Sequence, residues 1–202
     1  MRTFIAIDLP DAVKRRLGDV QRQLDHALEE LHIARSVRWT TAQNLHLTLR
    51  FLGDTTEAQR DAIQRQMTTI ARPHATFALA LHQLGCFPNW RRPNIVWVDF
   101  TGDTALLQRL QGEIEQMVCA AGFPAEGRPF TPHLTIGRVS KDASTQVRAQ
   151  LGEALQREQV RSTTGFTPRT AQFAVAEIAF MQSELHPSGS VYTRLAGYSL
   201  KG

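Results

Sequence analysis

Two stretches of this chain share a pattern that few folds tolerate: NLHLTLRFLG over residues 44–53 and TPHLTIGRVS over residues 131–140. Each sets His-Leu-Thr and an aliphatic residue within an apolar run. A strand shows alternate side chains to opposite faces, so Leu45, Leu47 and Leu49 share one side while Asn44, His46, Thr48 and Arg50 share the other. One face suits a core; the other suits chemistry. Each copy follows a segment with helical periodicity, so the echo implies two similar halves that face each other across a cleft.

The remaining sequence supplies what such halves need. Phe4 to Ile7 reads as a buried strand, stopped by Asp8, Leu9 and Pro10. Val13, Leu17, Val20, Leu24, Leu28 and Leu31 recur at three- and four-residue steps among charged residues, which predicts an amphipathic helix. Val37 to Trp39 and Asn44 to Leu52 read as strands. Thr56 and Gln59 resemble a capping box, opening a helix striped by Ile63, Met67 and Ile70. Thr76 to Leu84 and Ile95 to Phe100 predict a long hairpin around the turn-rich GCFPNWRRPN. Asp103 opens a helix with Leu106, Leu107, Leu110, Ile114, Met117 and Val118 inward and Gly122 at its end. Pro132 delays the second motif strand to His133 or just before it.

Ala143 to about Gln159 reads as a weaker helix interrupted by Gly152, and RSTTGFTPRT after it as a loop. Phe173 to Met181 and Tyr192 to Leu200 read as closing strands joined by HPSGS. Mixed helices and strands with hairpin connections predict an α+β fold with antiparallel sheets. No linker or low-complexity segment divides the chain, so residues 1–202 are expected to form one domain of two lobes, with a motif at 46–49 in one and at 133–136 in the other.

At 202 residues and 42% hydrophobic content, the chain can bury a core without covalent staples. Cys86 and Cys119 lack CxxC spacing, and the apolar start MRTFIAIDLP gives way to charge by Lys14. Neither a disulfide framework, a signal peptide nor a membrane span is therefore expected, and the chain reads as a cytoplasmic monomer. The formal charge of +4 favours anionic partners such as nucleotides or RNA.

The paired His and Thr point to phosphorus chemistry. In-line displacement needs one group to take a proton from the attacking oxygen and another to give one to the departing oxygen on the opposite side. Histidine suits both tasks near neutral pH. A threonine hydroxyl two residues on can donate to a non-bridging phosphate oxygen. His46 with Thr48 and His133 with Thr135 thus make two walls of a phosphodiester site. The other histidines, His26, His32, His74, His82 and His186, have no such pairing and read as surface or structural. Arg50, Arg91, Arg92 and Arg138, in or beside the motifs and the hairpin, are expected to line a basic rim for RNA phosphates. A metal-assisted hydrolase needs three or more ligands at fixed spacing. Asp8, Asp54 and Asp99 invite that reading, but none stands in an HxD or HxH pattern, so no metal or other cofactor is expected.

The motifs HLTL and HLTI resemble those of the two-histidine (2H) phosphoesterases. FIAIDLP, NLHLTLRFLG, FPNWRRPNIVWV, RPFTPHLTIGR and SELHPSGSVYTRL extend the likeness, nearly end to end, to the RNA 2′,3′-cyclic phosphodiesterase (2′-5′ RNA ligase) family. The resemblance implies a bilobal α+β fold with two antiparallel sheets around a cleft, and metal-free hydrolysis of RNA 2′,3′-cyclic phosphates to 2′-phosphates. It implies that His46 is the acid and His133 the base, and it puts Phe51 and Arg138 near the substrate. Strict alternation sets Arg138 on the face opposite His133, so a bulge near Gly137 is required if it is to reach a ligand. By microscopic reversibility the same acid and base can let an RNA 5′-hydroxyl replace water, joining ends without ATP. Small cyclic nucleotides, ADP-ribose cyclic phosphate, or RNA-end binding without turnover are the competing readings.

Overall fold

The computed structural model describes residues 1–163, 171–187 and 189–202. In chain order its elements are β1 (Arg2–Asp8), α1 (Asp11–Glu30), β2 (Val37–Trp39), β3 (His46–Asp54), α2 (Glu57–Ala71), β4 (Phe77–Phe87) and β5 (Ile95–Gly102). There follow α3 (Thr104–Ala120), β6 (Leu134–Val139), α4 (Thr145–Thr163), β7 (Gln172–Val175), β8 (Glu177–His186) and β9 (Gly189–Ser199). The strands form two wholly antiparallel sheets, ordered β3-β1-β8-β9 and β2-β6-β5-β4-β7. No helix among the described residues is long and apolar enough to cross a membrane.

The sequence echo becomes a structural one. β1, α1 and β3 form one unit and β5, α3 and β6 the other, and in each the motif strand pairs with the strand that precedes the helix. The helices, however, bond to the opposite lobe. Gln21 of α1 donates through Nε2 to the carbonyls of Ile136 on β6 and of Thr40, both at 2.8 Å. Glu115 of α3 accepts from Arg50 Nε on β3 at 2.5 Å. Each motif strand is thus pinned by the helix of the other unit.

The apolar periodicities become the core. Val13, Leu17, Val20, Leu24 and Leu28 of α1 are buried, as are Leu107, Leu110, Ile114, Met117 and Val118 of α3. Burying a side chain of this size is worth roughly 2 kcal/mol. The capping box opens α2 as expected, with Thr56 and Gln59 bonding reciprocally. α2 lies against α3, where buried His74 shares a 2.9 Å hydrogen bond with Glu113.

Several boundaries differ from the expected ones. Leu31 lies past the end of α1 and is exposed. Leu106, expected on the inner face of α3, is exposed as well. β4 continues through Gly85 and Cys86 to Phe87, because pairing with β5 persists there. Asp103 makes no side-chain cap to α3; its carboxylate accepts from the N–H of Ala78 instead. The strand expected over 173–181 is two strands. A break at Ala176, whose carbonyl accepts from Leu200, passes the chain from one sheet to the other. Of the loop expected over 161–170, the first three residues continue α4 and the rest lie outside the described residues.

Arg50 is the largest departure. Expected on the cleft rim, it is buried, with donors to Glu115, to Glu126 at 3.4 Å, and to the carbonyls of Phe51 and Pro124, both at 2.5 Å. Burial opposes ionisation of Glu115, but the N–H of Glu126 and the Arg50 guanidinium outweigh it and hold its carboxyl below the usual range. Removing one partner of a buried pair strands the other. Arg50→Met should therefore lower stability by about 3 kcal/mol, while Arg138→Met on the surface should change it by less than about 0.5 kcal/mol. Urea unfolding of the two variants checks the contrast; equal midpoints would contradict the structural role given to Arg50.

Candidate active site

Both motif strands carry a β-bulge at the same place. Asp8, Ile7 and Ala6 stand opposite His46, Leu47 and Thr48, but Ile5 stands opposite Arg50, leaving Leu49 unmatched. Val98 and Trp97 stand opposite Leu134 and Thr135, but Val96 stands opposite Gly137, leaving Ile136 unmatched. One extra residue reverses the facing of those that follow up to the next irregularity, which in β3 comes just after Phe51, where Leu52 is unmatched. Arg50 and Gly137 therefore turn away from the His/Thr face, and Phe51 and Arg138 turn onto it. The bulge that Arg138 required is present, and Phe51, which is 56% exposed, is not core.

The histidines are held alike. Nδ1 of His46 lies 2.8 Å from the carbonyl of Asn44, and Nδ1 of His133 lies 2.8 Å from the carbonyl of Thr131. A carbonyl only accepts, so each Nδ1 carries the hydrogen and each Nε2 is left for proton transfer. His46, Thr48, His133 and Thr135 are all half-buried, and Leu45, Leu47, Leu49, Leu134 and Ile136 beside them are buried, as strand alternation demands. β3 and β6 approach each other where the sheets meet, which brings the two walls together.

Aromatic rings complete both walls. Phe4 lies 4.8 Å from His46 and 5.7 Å from Phe51, ring to ring, and Tyr192 meets His46 edge-on at 5.1 Å. Phe87 meets His133 edge-on at 5.0 Å, with Trp97 at 6.4 Å. Sequence reasoning missed these four as site residues. FIAIDLP, FPNWRRPNIVWV and SELHPSGSVYTRL contain them, but their convergence depends on strand pairing that no local period encodes. Arg91 and Arg92 are exposed on the β4–β5 turn. Asp8 and Asp99, candidates for a metal, are engaged by Lys14 at 2.7 Å and by His82 at 3.3 Å. Among the described residues no three His, Cys, Asp or Glu side chains form a group that could hold a metal ion.

Burial lowers the proton affinity of His46. The Asn44 carbonyl and the Asp8 carboxylate favour the imidazolium, Lys14 opposes it, and burial prevails. An anion placed against Nε2 would reverse the balance, because a nearby negative charge favours the charged ring.

A bilobal fold whose two antiparallel sheets each present a His-x-Thr strand matches the two-histidine phosphoesterase architecture. The family model of the 2′-5′ RNA ligase superfamily matches residues 9–186. The RNA 2′,3′-cyclic phosphodiesterase of Methanothermobacter thermautotrophicus is 28% identical over 200 residues, covering 99% of each chain. That of Aquifex aeolicus is 30% identical over 169 residues, covering 82% of each. A crystal structure from Thermus thermophilus superposes with a TM-score of 0.75 at 27% identity, covering 100% of this chain and 99% of the other. That of E. coli LigT with 3′-AMP gives 0.68 at 25%, covering 100% and 98%. This chain belongs to the 2′-5′ RNA ligase superfamily.

The lowered proton affinity of His46 ties stability to pH. Unfolded histidine binds a proton below about pH 6.5, while folded His46 resists until lower pH. Its contribution to stability is therefore complete above about pH 6.5 and is lost as pH falls below it. In NMR titration of the free protein, the His46 ring should titrate below about 6.5, and saturating 2′-AMP should raise that midpoint. A midpoint above the ordinary histidine value without ligand would contradict the burial argument.

Proposed function

We propose that this chain is a metal-independent RNA 2′,3′-cyclic phosphodiesterase that opens the terminal cyclic phosphate to a 2′-phosphate. The observation that carries the reading is the duplicated strand: two imidazoles, each with Nδ1–H on its own backbone carbonyl and Nε2 directed to chemistry, each followed by threonine and the same bulge. The names of the related proteins agree with it. Residues 1–202 act as one two-lobed unit, a monomer in the cytoplasm, where the free thiols Cys86 and Cys119 persist.

His133 Nε2 takes a proton from water as its oxygen attacks phosphorus. The bond from phosphorus to the 3′ oxygen breaks, and His46 Nε2–H supplies the proton that the departing oxygen needs. Nδ1 stays protonated on both rings throughout, so neither imidazole has to turn. Thr48 and Thr135 donate their hydroxyls to non-bridging oxygens, where charge builds. Phe51 offers a ring face to a base, and Arg138 offers two parallel donors to a phosphate. His46 must start protonated although burial disfavours that form. The substrate phosphate supplies the compensating charge, so the acid is prepared by binding. In reverse, an RNA 5′-hydroxyl in place of water gives ATP-independent 2′-5′ joining.

Steady-state kinetics on a nucleoside 2′,3′-cyclic phosphate tests the scheme. His46→Ala and His133→Ala should each cost roughly 10² to 10⁴ in kcat, and the double variant much less than their product. His46→Ala should remove the alkaline limb of the kcat/KM profile and His133→Ala the acidic limb; the opposite assignment would exchange acid and base. Turnover should survive EDTA. Loss restored by Mg²⁺ or Mn²⁺ would replace the two-histidine mechanism with a metal-dependent one.

A further inference from the structure

β1 ends beside the acid. Asp8, its last residue, stands directly opposite His46 in the β1–β3 ladder, and directly opposed residues share a face with their Cβ atoms about 5 Å apart. The carboxylate therefore leaves its strand on the cleft side, next to the imidazole. Two donors hold it: the N–H of Leu9 bonds to Oδ1 at 2.9 Å, and Lys14 Nζ lies 2.7 Å from the same oxygen. Pro10 opens the helix that brings Lys14 back toward the strand end, its carbonyl accepting from the Lys14 N–H at 3.0 Å.

Lys14 stands where local rules disfavour it. It closes the first turn of α1, at the positive end of the helix dipole, where a cation costs stability. Its side chain is only 15% exposed, whereas that of Asp8 is 54% exposed. A lysine placed for solubility would reach into water; this one lays its stem against the protein and delivers its ammonium to the carboxylate beside His46. Of these two charges, Asp8 favours the imidazolium and Lys14 opposes it. Phe4 of β1 and Tyr192 of β9 bring rings to the imidazole, and Asn44 brings a carbonyl. Glu115 of α3 and Glu126 lie behind β3 with Arg50, and His133 stands on the opposite wall.

We infer that the Asp8–Lys14 ion pair serves His46 as a unit, the carboxylate supporting the ring as an acid and the ammonium limiting that support, which makes both of them positioning residues for protonation of the departing oxygen. The inference rests on the cyclic phosphodiesterase reading, in which the proton passes from His46 Nε2 to the 3′ oxygen as its bond to phosphorus breaks. An unopposed carboxylate would make the imidazolium a weaker acid. An unopposed ammonium would leave the ring unprotonated when the phosphate arrives. The pair keeps the free ring between these limits, and the charge of the substrate completes its protonation.

The test follows the His46 ring by NMR titration of the free protein, its signal assigned by its loss in His46→Ala. Lys14→Met should raise the midpoint and Asp8→Asn should lower it, each by about half a unit, because a half-exposed carboxylate acts through water and salt. The double variant should fall between the two, and Lys14→Arg, which keeps the charge, should leave the midpoint in place. A general loosening of the structure would move both single variants the same way, so opposite signs separate a charge effect from a structural one. Lys14→Gln replaces the methionine variant if that one folds poorly. On a nucleoside 2′,3′-cyclic phosphate, Asp8→Asn should lower kcat/KM several-fold, chiefly through kcat. Midpoints that move together or not at all would overturn the role of the pair. So would midpoints that part as stated while kcat/KM of Asp8→Asn stays at the wild-type value, and either result leaves the phosphodiesterase reading intact. Absence of turnover by the wild type would overturn that reading and the inference with it, even where the midpoints part.

Discussion

A bulge at the same place in each motif strand decides what the cleft contains. Leu49 and Ile136 both bury their side chains while interrupting the ladder, and the two residues directly after each change sides. The residue that follows each bulge must then lie against the helices, where water does not reach freely. In the first strand that residue is Arg50, and a buried guanidinium is tolerable only because two carboxylates and two carbonyls receive its donors. In the second it is Gly137, which needs no partner and opens the space that Trp39 and Val37 fill. The same backbone constraint is met by charge pairing in one lobe and by absence of a side chain in the other.

That difference propagates. With Trp39 seated over Gly137, β2 presents Arg38 beside Arg138, so the lobe that tolerates no charge behind its motif strand carries two in front. The other lobe hides its arginine and, like the first, presents rings to its histidine: Phe4 and Tyr192 against His46, with Phe51 beyond Phe4, as Phe87 and Trp97 stand against His133. The imidazoles still differ. His46 sits against two rings, Phe4 and Tyr192, with Asp8 and Lys14 nearby and loses proton affinity through burial, whereas the His133 bond to Thr131 is exposed.

The parts of this arrangement readable from the sequence are those set by local period. Val13 to Leu28 spell a helix face, HLTL and HLTI spell half-buried strands, and Thr56 with Gln59 spells a cap, because each signal is complete within a few residues. Arg50 misled because strict alternation is only a local rule, and the bulge that breaks it arises from pairing with β1. Ala176 could not be seen as a break, since Phe173 to Met181 is apolar almost throughout and only the partner strands differ. Phe87 and Tyr192 meet His133 and His46 across strands distant in sequence. Arg138 was readable as a dilemma, Gly137 marking where a bulge would resolve it.

In-line displacement is unforgiving of distance between acid and base, since misplacement by about an ångström can cost two orders of magnitude in rate. Two lobes joined only by a linker would not hold that distance. Here each helix leaves the sheet that begins its unit and bonds to the motif strand of the other: Gln21 to the Ile136 carbonyl, Glu115 to Arg50. Opening the cleft would break both anchors, and the second would expose an ion pair's partners one at a time at a cost of several kcal/mol. The crossing of helices therefore fixes the separation of two strands that have no ladder between them. With the walls already set, the sensitivity that remains at His46 is electrical: burial disfavours its proton, and an anion beside the ring would favour it.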